Sequence, residues 1–214
     1  CALPICPDIV FATSRVARYQ LTPTKRVIEA AKRVLRYLLS TPLECLEYSR
    51  EREREFNRCF REVARAGERI QKFGNVTQFS DADFAGCATS LRSTSGSVHY
   101  YRGCPVAWQS RRQTLRAESN MEPELYACHE AIKLTKSSGW LEWLADVCPP
   151  ILFVDNKSLI DLCRQEFTTK RSKHIGIRYL SCRDHLEQLC HLRSSLNLAD
   201  TLTRSEEHTS ELQS

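Results

Sequence analysis

The chain has no run of about 18 apolar residues, which argues against a membrane-spanning helix. It has no charged start followed by an apolar core, so no secretory leader is expected. Without secretion, its eleven cysteines are expected as reduced thiols. No C-x-x-C pair occurs among them, which argues against a structural zinc site and leaves buried small hydrophobes as their role. A Tyr-x-Asp-Asp motif is missing, and with it the catalytic palm of a nucleotide polymerase. Internal repeats and low-complexity tracts are missing too. None of His129, His174, His185 and His191 stands near an evident nucleophile, so none is assigned a catalytic role.

What remains is globular: 214 residues, 42% hydrophobic and 27% charged. That is enough for one cored domain of roughly 130–150 residues and a flanking piece. The formal charge of +5 suits a nucleic-acid partner without demanding one. Residues 204–214, RSEEHTSELQS, resemble the translation of a sequencing adapter, and residues 1–5, CALPI, resemble its reverse complement in another frame. Both ends are therefore expected to be foreign to the native chain, with Cys6 on the junction codon. Leaving out Arg204, Glu206, Glu207 and Glu211 removes one positive and three negative charges and moves the net charge from +5 to +7.

Three regions lie between. Residues 6–48 carry helix-period apolar positions at Val27, Ala30, Ala31, Val34, Leu35 and Leu38, with a break and helix start at Thr22-Pro23-Thr24. Lys25, Arg26, Lys32, Arg33 and Arg36 give that helix a basic face, read first as a solvated one. Residues 49–74 alternate Arg and Glu around Phe56, Phe60 and Val63, the pattern of a mostly exposed connector helix. From residue 75 the period changes. VTQFSDADF alternates like a strand, and GSVHYYRG and PVAWQS read as a hairpin. One long helix is predicted over 122–147, a buried strand at ILFV, helices over 156–163 and 172–189, a short strand near 190–193 and a final helix from about Asn197. The class is α/β with a mixed sheet, in the order β-β-β-α-β-α-α-β-α.

Four acids fall at strand ends and helix starts: Asp81, Glu124, Asp155 and Asp200. Such places let side chains converge at one sheet edge. Phosphodiester hydrolysis uses carboxylates of this kind to hold two divalent ions about 3.5–4 Å apart. Each acid also has a plain structural role, as a turn residue, a helix-dipole partner or a helix cap. Asp83 shares a face with Asp81 in a regular strand and is a second candidate.

In order along the chain, SDADFAG, RSTSG, PVAWQS, EPELYACHEA, FVDNKS, KHIGIRY and LADTLT resemble the RNase H domain of copia-type LTR retrotransposons. CPDIVFATSR and AAKRVLRYL resemble the end of the reverse transcriptase that precedes it. The likeness runs over about residues 6–203 and is weakest at 49–72. It implies an RNase H-like fold over 75–203, preceded by a helical reverse-transcriptase remnant at 6–48. It also implies a nuclease that cuts the RNA strand of RNA–DNA hybrids, inside the cell in a cytoplasmic element particle. Asp81, Glu124, Asp155 and Asp200 would bind two Mg²⁺ or Mn²⁺ ions. Glu122 competes with Glu124, but the family pattern Glu-Leu-x-Ala fits Glu124-Leu125-Tyr126-Ala127. Arg111, Arg112, Arg116, Lys170, Arg171 and Lys173 are candidate phosphate contacts, with solvated surface as their plain alternative. The partners implied are the hybrid and the rest of the reverse transcriptase, with no membrane.

The family pattern is departed from at Cys87, Leu91, Asn120-Met121 and Gly176, none of them a catalytic acid. Two alternatives stay open: an inactive nucleic-acid-binding remnant of a decayed element, and an integrase-type nuclease using Asp81, Asp155 and a later acid such as Glu187.

Overall fold

A computed structural model describes residues 6–66, 75–87, 90–147, 150–165 and 173–203, with backbone alone at 62, 64–66, 144–147 and 173–175. The proposed adapter-derived ends, 1–5 and 204–214, lie outside the described residues.

Helix α1 (Val10–Ala17) leads to α2 (Lys25–Ser40) and α3 (Arg50–Ala66). Thr24 caps α2 by accepting the Val27 N–H on its hydroxyl, as the sequence signal predicts. The basic face of α2 is exposed, with Lys32 and Arg36 paired to Glu29. Strands β1 (Val76–Ala82), β2 (Thr94–Tyr101) and β3 (Cys104–Arg112) follow, then α4 (Met121–Ser137), α5 (Gly139–Val147), β4 (Ile151–Val154), α6 (Lys157–Arg164), α7 (Lys173–Arg183) and β5 (Leu189–His191). The five strands form one mixed sheet in the order β3-β2-β1-β4-β5. β1 runs antiparallel to β2 and parallel to β4, and β4 runs parallel to β5. The hairpin turns on Arg102 and Gly103, both at positive φ, so Cys104 and Pro105 belong to β3. β3 is an edge strand, where the missing N–H of Pro105 is tolerated.

Both sheet faces are covered. On one, Phe56 and Phe60 of α3 pack with Phe79, Val98, Phe153 and Leu192. Ring centroids of Phe60 and Phe79 stand 5.0 Å apart, edge to face. On the other, α4, α6 and α7 bury Leu125, Ile132, Leu159, Cys163 and Tyr179 against Leu152 and Val154. β1 is buried along its whole length, so its alternation does not mark a solvent face. Its polar positions meet α4 instead: Gln78 Nε2 donates to Thr135 Oγ1 at 2.5 Å, and His99 beside it on β2 lies 3.2 Å from the Ala131 carbonyl oxygen.

Three helices differ from expectation: the predicted helix 172–189 ends at Arg183, before a 3-10 turn at Leu186–Gln188 and a strand from Leu189. The predicted helix 122–147 is broken at Ser138, whose extended backbone separates α4 from α5 just before Gly139. The predicted final helix is a single 3-10 turn, Asp200–Leu202.

Candidate metal centre

Parallel pairing of β1 with β4 sets Phe79 against Phe153. Carried two residues further, that register sets Asp81 beside Asp155, on strands about 4.8 Å apart. Asp81 is fully buried at the C-terminal end of β1, and Asp155 is half-buried just past the end of β4. Glu124 enters from the first turn of α4, which buried Gln113 ties to the sheet. Its Nε2 lies 2.8 Å from Ser95 Oγ and 3.0 Å from the Pro123 carbonyl oxygen. Pro123 stands third in α4, within the first turn, where no helical acceptor awaits its missing N–H. One ligand atom from each of Asp81, Glu124 and Asp155 lies within 4.8 Å of the others. That set is made only of carboxylate oxygens, the donors that hard divalent cations prefer.

Glu122 has another task. Its carboxylate accepts the Glu118 N–H at 2.8 Å, closing the loop before α4. Asp83 lies beyond the end of β1, where its carboxylate accepts the Thr94 N–H. Burial raises its pKa, with Thr94 and Arg18 opposing the rise.

Asp200 is half-buried and stands outside that group of three, but its turn is anchored beside it. Asn197 Nδ2 donates to the Ser80 carbonyl oxygen at 3.0 Å, and Thr203 Oγ1 donates to Asp81 Oδ2. Gly96, paired with Asp81, makes room for this turn, since a Cβ there would stand 2.8 Å from Leu202 Cβ and Thr203 Cγ2. Asn197, Thr203, Gln113 and Gly96 escaped the sequence reading. Gly96 ends RSTSG, Thr203 ends LADTLT and Asn197 directly precedes it, which was the available signal; Gln113 lies in neither motif.

The candidate phosphate contacts scatter. Arg111 and Arg112 are neighbours on β3 and point to opposite faces. Arg116 donates from Nε to the Ser90 carbonyl oxygen at 2.9 Å. Lys170 and Arg171 lie outside the described residues, as does the side chain of Lys173 at the start of α7. His191 ends β5 with Nε2 3.2 Å from the Asp155 carbonyl oxygen. Glu187 sits before β5, at the opposite end of the sheet. With Val154 paired to His191, it stands on the order of 15 Å from Asp155 along the strands.

Six of the nine described cysteines are buried. Burial raises Cys163 to about 12 and Cys190 to about 11, and Cys128 also titrates high beside Cys182. Among the described residues, the acidic trio is the group suited to hold a cation.

No family model matches the chain. It is 27% identical over 214 residues to the retrovirus-related Pol polyprotein from transposon RE1 of Arabidopsis thaliana, covering 92% of this chain and 13% of that protein. It is 30% identical over 207 residues to the corresponding polyprotein from transposon TNT 1-94 of Nicotiana tabacum, covering 92% and 14%. The secreted RxLR effector protein 161 of Plasmopara viticola is 34% identical over 135 residues, which is 63% of this chain and 79% of that protein. The chain thus spans about an eighth of the first polyproteins it matches. Among solved structures, RNase H1 from Halobacterium salinarum gives a TM-score of 0.44 at 16% identity, covering 64% of this chain and 99% of that one.

Proposed function

We propose, from its similarity to the retrovirus-related Pol polyproteins of transposons, that this chain is the ribonuclease H portion of a copia-type element, cutting the RNA strand of RNA–DNA hybrids during reverse transcription. The observation that carries the reading is the convergence of Asp81, Glu124 and Asp155 at one end of the sheet. Asp81, Glu124, Asp155 and Asp200 would hold two Mg²⁺ or Mn²⁺ ions, which supply an activated water and charge stabilisation at the departing oxygen. The chain's own residues supply position. Thr203 orients the Asp81 carboxylate, Asn197 fixes the turn bearing Asp200, and Gln113 locks the helical turn bearing Glu124. The hybrid would be held through backbone shape and 2′-hydroxyls rather than base sequence.

Residues 75–203 are read as the nuclease domain and residues 6–48 as the tail of the polymerase, within a cytoplasmic element particle. The remaining polymerase is the proposed neighbour of α2, which buries none of its residues and leaves Leu35 and Leu39 exposed. The distance of Glu187 from Asp155 counts against the integrase-type alternative.

The test is cleavage of a labelled RNA–DNA hybrid by the intact chain with Mg²⁺ or Mn²⁺. RNA-strand cutting is expected. Asp155→Asn and Glu124→Gln should each lower it by more than the roughly 10- to 100-fold that losing an outer-shell partner costs. Glu122→Ala should keep cutting and lose about 1 kcal/mol of stability, the worth of a helix-start hydrogen bond. No cutting by folded chain would leave a nucleic-acid-binding remnant.

A further inference from the structure

Helix α1 belongs to the region upstream of the nuclease domain, yet it packs on β3 and on the turn bearing Asp200. It thereby brings two arginines to the acidic end of the sheet. Arg18, at the C-terminal end of α1, reaches Thr94 Oγ1 with Nη2 at 3.4 Å. Thr94 is paired with Arg112 across β2 and β3, and stands two residues from Gly96, the partner of Asp81. The group therefore lies on the order of 7 Å along the strand from the acids. Thr94, Gly96, Asp81 and Arg112 share one face of the sheet by the period of two. Arg15 is one helical turn away on α1, with its guanidinium over the Phe11 ring.

Both Arg15 and Arg112 act electrostatically on Arg18. Arg18 is held below the usual arginine range first by burial, then by Arg112 and Arg15. Its Nε is buried without a hydrogen-bond partner. Among the described residues, none of the three forms an ion pair within 4.0 Å. Asp83 acts electrostatically on both Arg18 and Arg15, but its carboxylate is engaged by the Thr94 amide. The negative end of α1 favours a cation near its last turn, but that accounts for one arginine and not for gathering a third from β3. A half-buried Arg18 with a donor to spare, repelled by two neighbouring guanidinium groups, suits an anion, and the planar fork of arginine fits phosphate oxygens.

We propose that Arg15 and Arg18 of the upstream helix complete, with Arg112, a site for a backbone phosphate of the nucleic acid bound at the acidic centre. This rests on the nuclease reading. It makes the polymerase-like segment part of the hybrid-binding surface of the nuclease.

The test measures binding of a short labelled RNA–DNA hybrid to the intact chain by anisotropy, with Ca²⁺ in place of Mg²⁺, across a KCl series. Each phosphate contact contributes about 0.9 to the slope of log affinity against log salt. Arg18→Met should lower the slope by about 1, and Arg15→Met/Arg18→Met should weaken binding about tenfold or more with a larger slope change. Arg18→Lys should keep the wild-type slope. Arg15→Met alone, at an exposed position, gives a readout should the double variant fold poorly. Unchanged slope and affinity in folded Met variants would overturn the site while sparing the nuclease reading. An Arg18→Lys slope matching Arg18→Met would also overturn it, by showing packing rather than charge. Failure of the wild-type chain to bind the hybrid would overturn both.

Discussion

His99 is fully buried in β2, and burial pushes its pKa down to about 4. An unfolded histidine takes up its proton near pH 6.5. Between these values the unfolded chain binds more protons than the folded one, so stability falls as pH falls. The contribution of neutral His99 is full above about pH 6.5 and is lost as pH drops to about 4, a total of about 3 kcal/mol. Urea midpoints from pH 7.5 to 4 should fall more steeply for wild type than for His99→Gln. Equal slopes would show that His99 is not the group responsible. The same closeness of reading separates Glu122 from Glu124. Both are buried in the first turn of α4, but the Glu118 amide claims Glu122, and the acidic trio claims Glu124. Sequence spacing treats the pair alike, because two residues in one helical turn differ only in what the surrounding chain puts opposite them.

Helix α3 reads as a charged connector, yet it is half of one layer. Its exposed positions carry Arg and Glu, while Phe56 and Phe60, one turn apart, cover Phe79 and Phe153. Arg102 pairs with Glu53 at 2.9 Å and ties the β2–β3 hairpin to it. Phe60→Ala should cost about 3–5 kcal/mol, as for other buried phenylalanines, and Arg54→Ala about 0.5 kcal/mol or less. Chemical denaturation of the two variants checks this, and equal midpoints would mean that α3 is a tether. The apolar spacing was visible in the sequence. Its significance was not, since two aromatics in a charged helix become a core only when a sheet face lies beneath them. The break at Ser138 did have a local signal in Ser138-Gly139, a turn-favouring pair that the helical period of the apolar residues on both sides outweighed in the reading.

The chain is a three-layer molecule whose folding unit begins before residue 75. Removing residues 6–74 uncovers the Phe79–Phe153 face and forfeits two buried phenylalanines, about 5 kcal/mol by area. That is comparable to the whole stability of a typical domain, about 5–15 kcal/mol. Residues 75–203 alone should therefore lose the cooperative urea transition that residues 6–203 show; a transition of equal midpoint in both would refute the dependence. The mixed α/β class, the order of the strands, most of the helices and the choice of acidic candidates were determined by sequence, while the split of the long helix and the shortening of the last two were not. Those are local matters of period, caps, turns and ordered motifs. Tertiary structure alone decided that Asp81, Glu124 and Asp155 meet, that Thr203 reaches Asp81 across 122 positions of chain, and that an upstream helix brings Arg18 to Thr94. Such contacts join residues far apart in sequence, and no local pattern encodes which distant segment the sheet will set beside them.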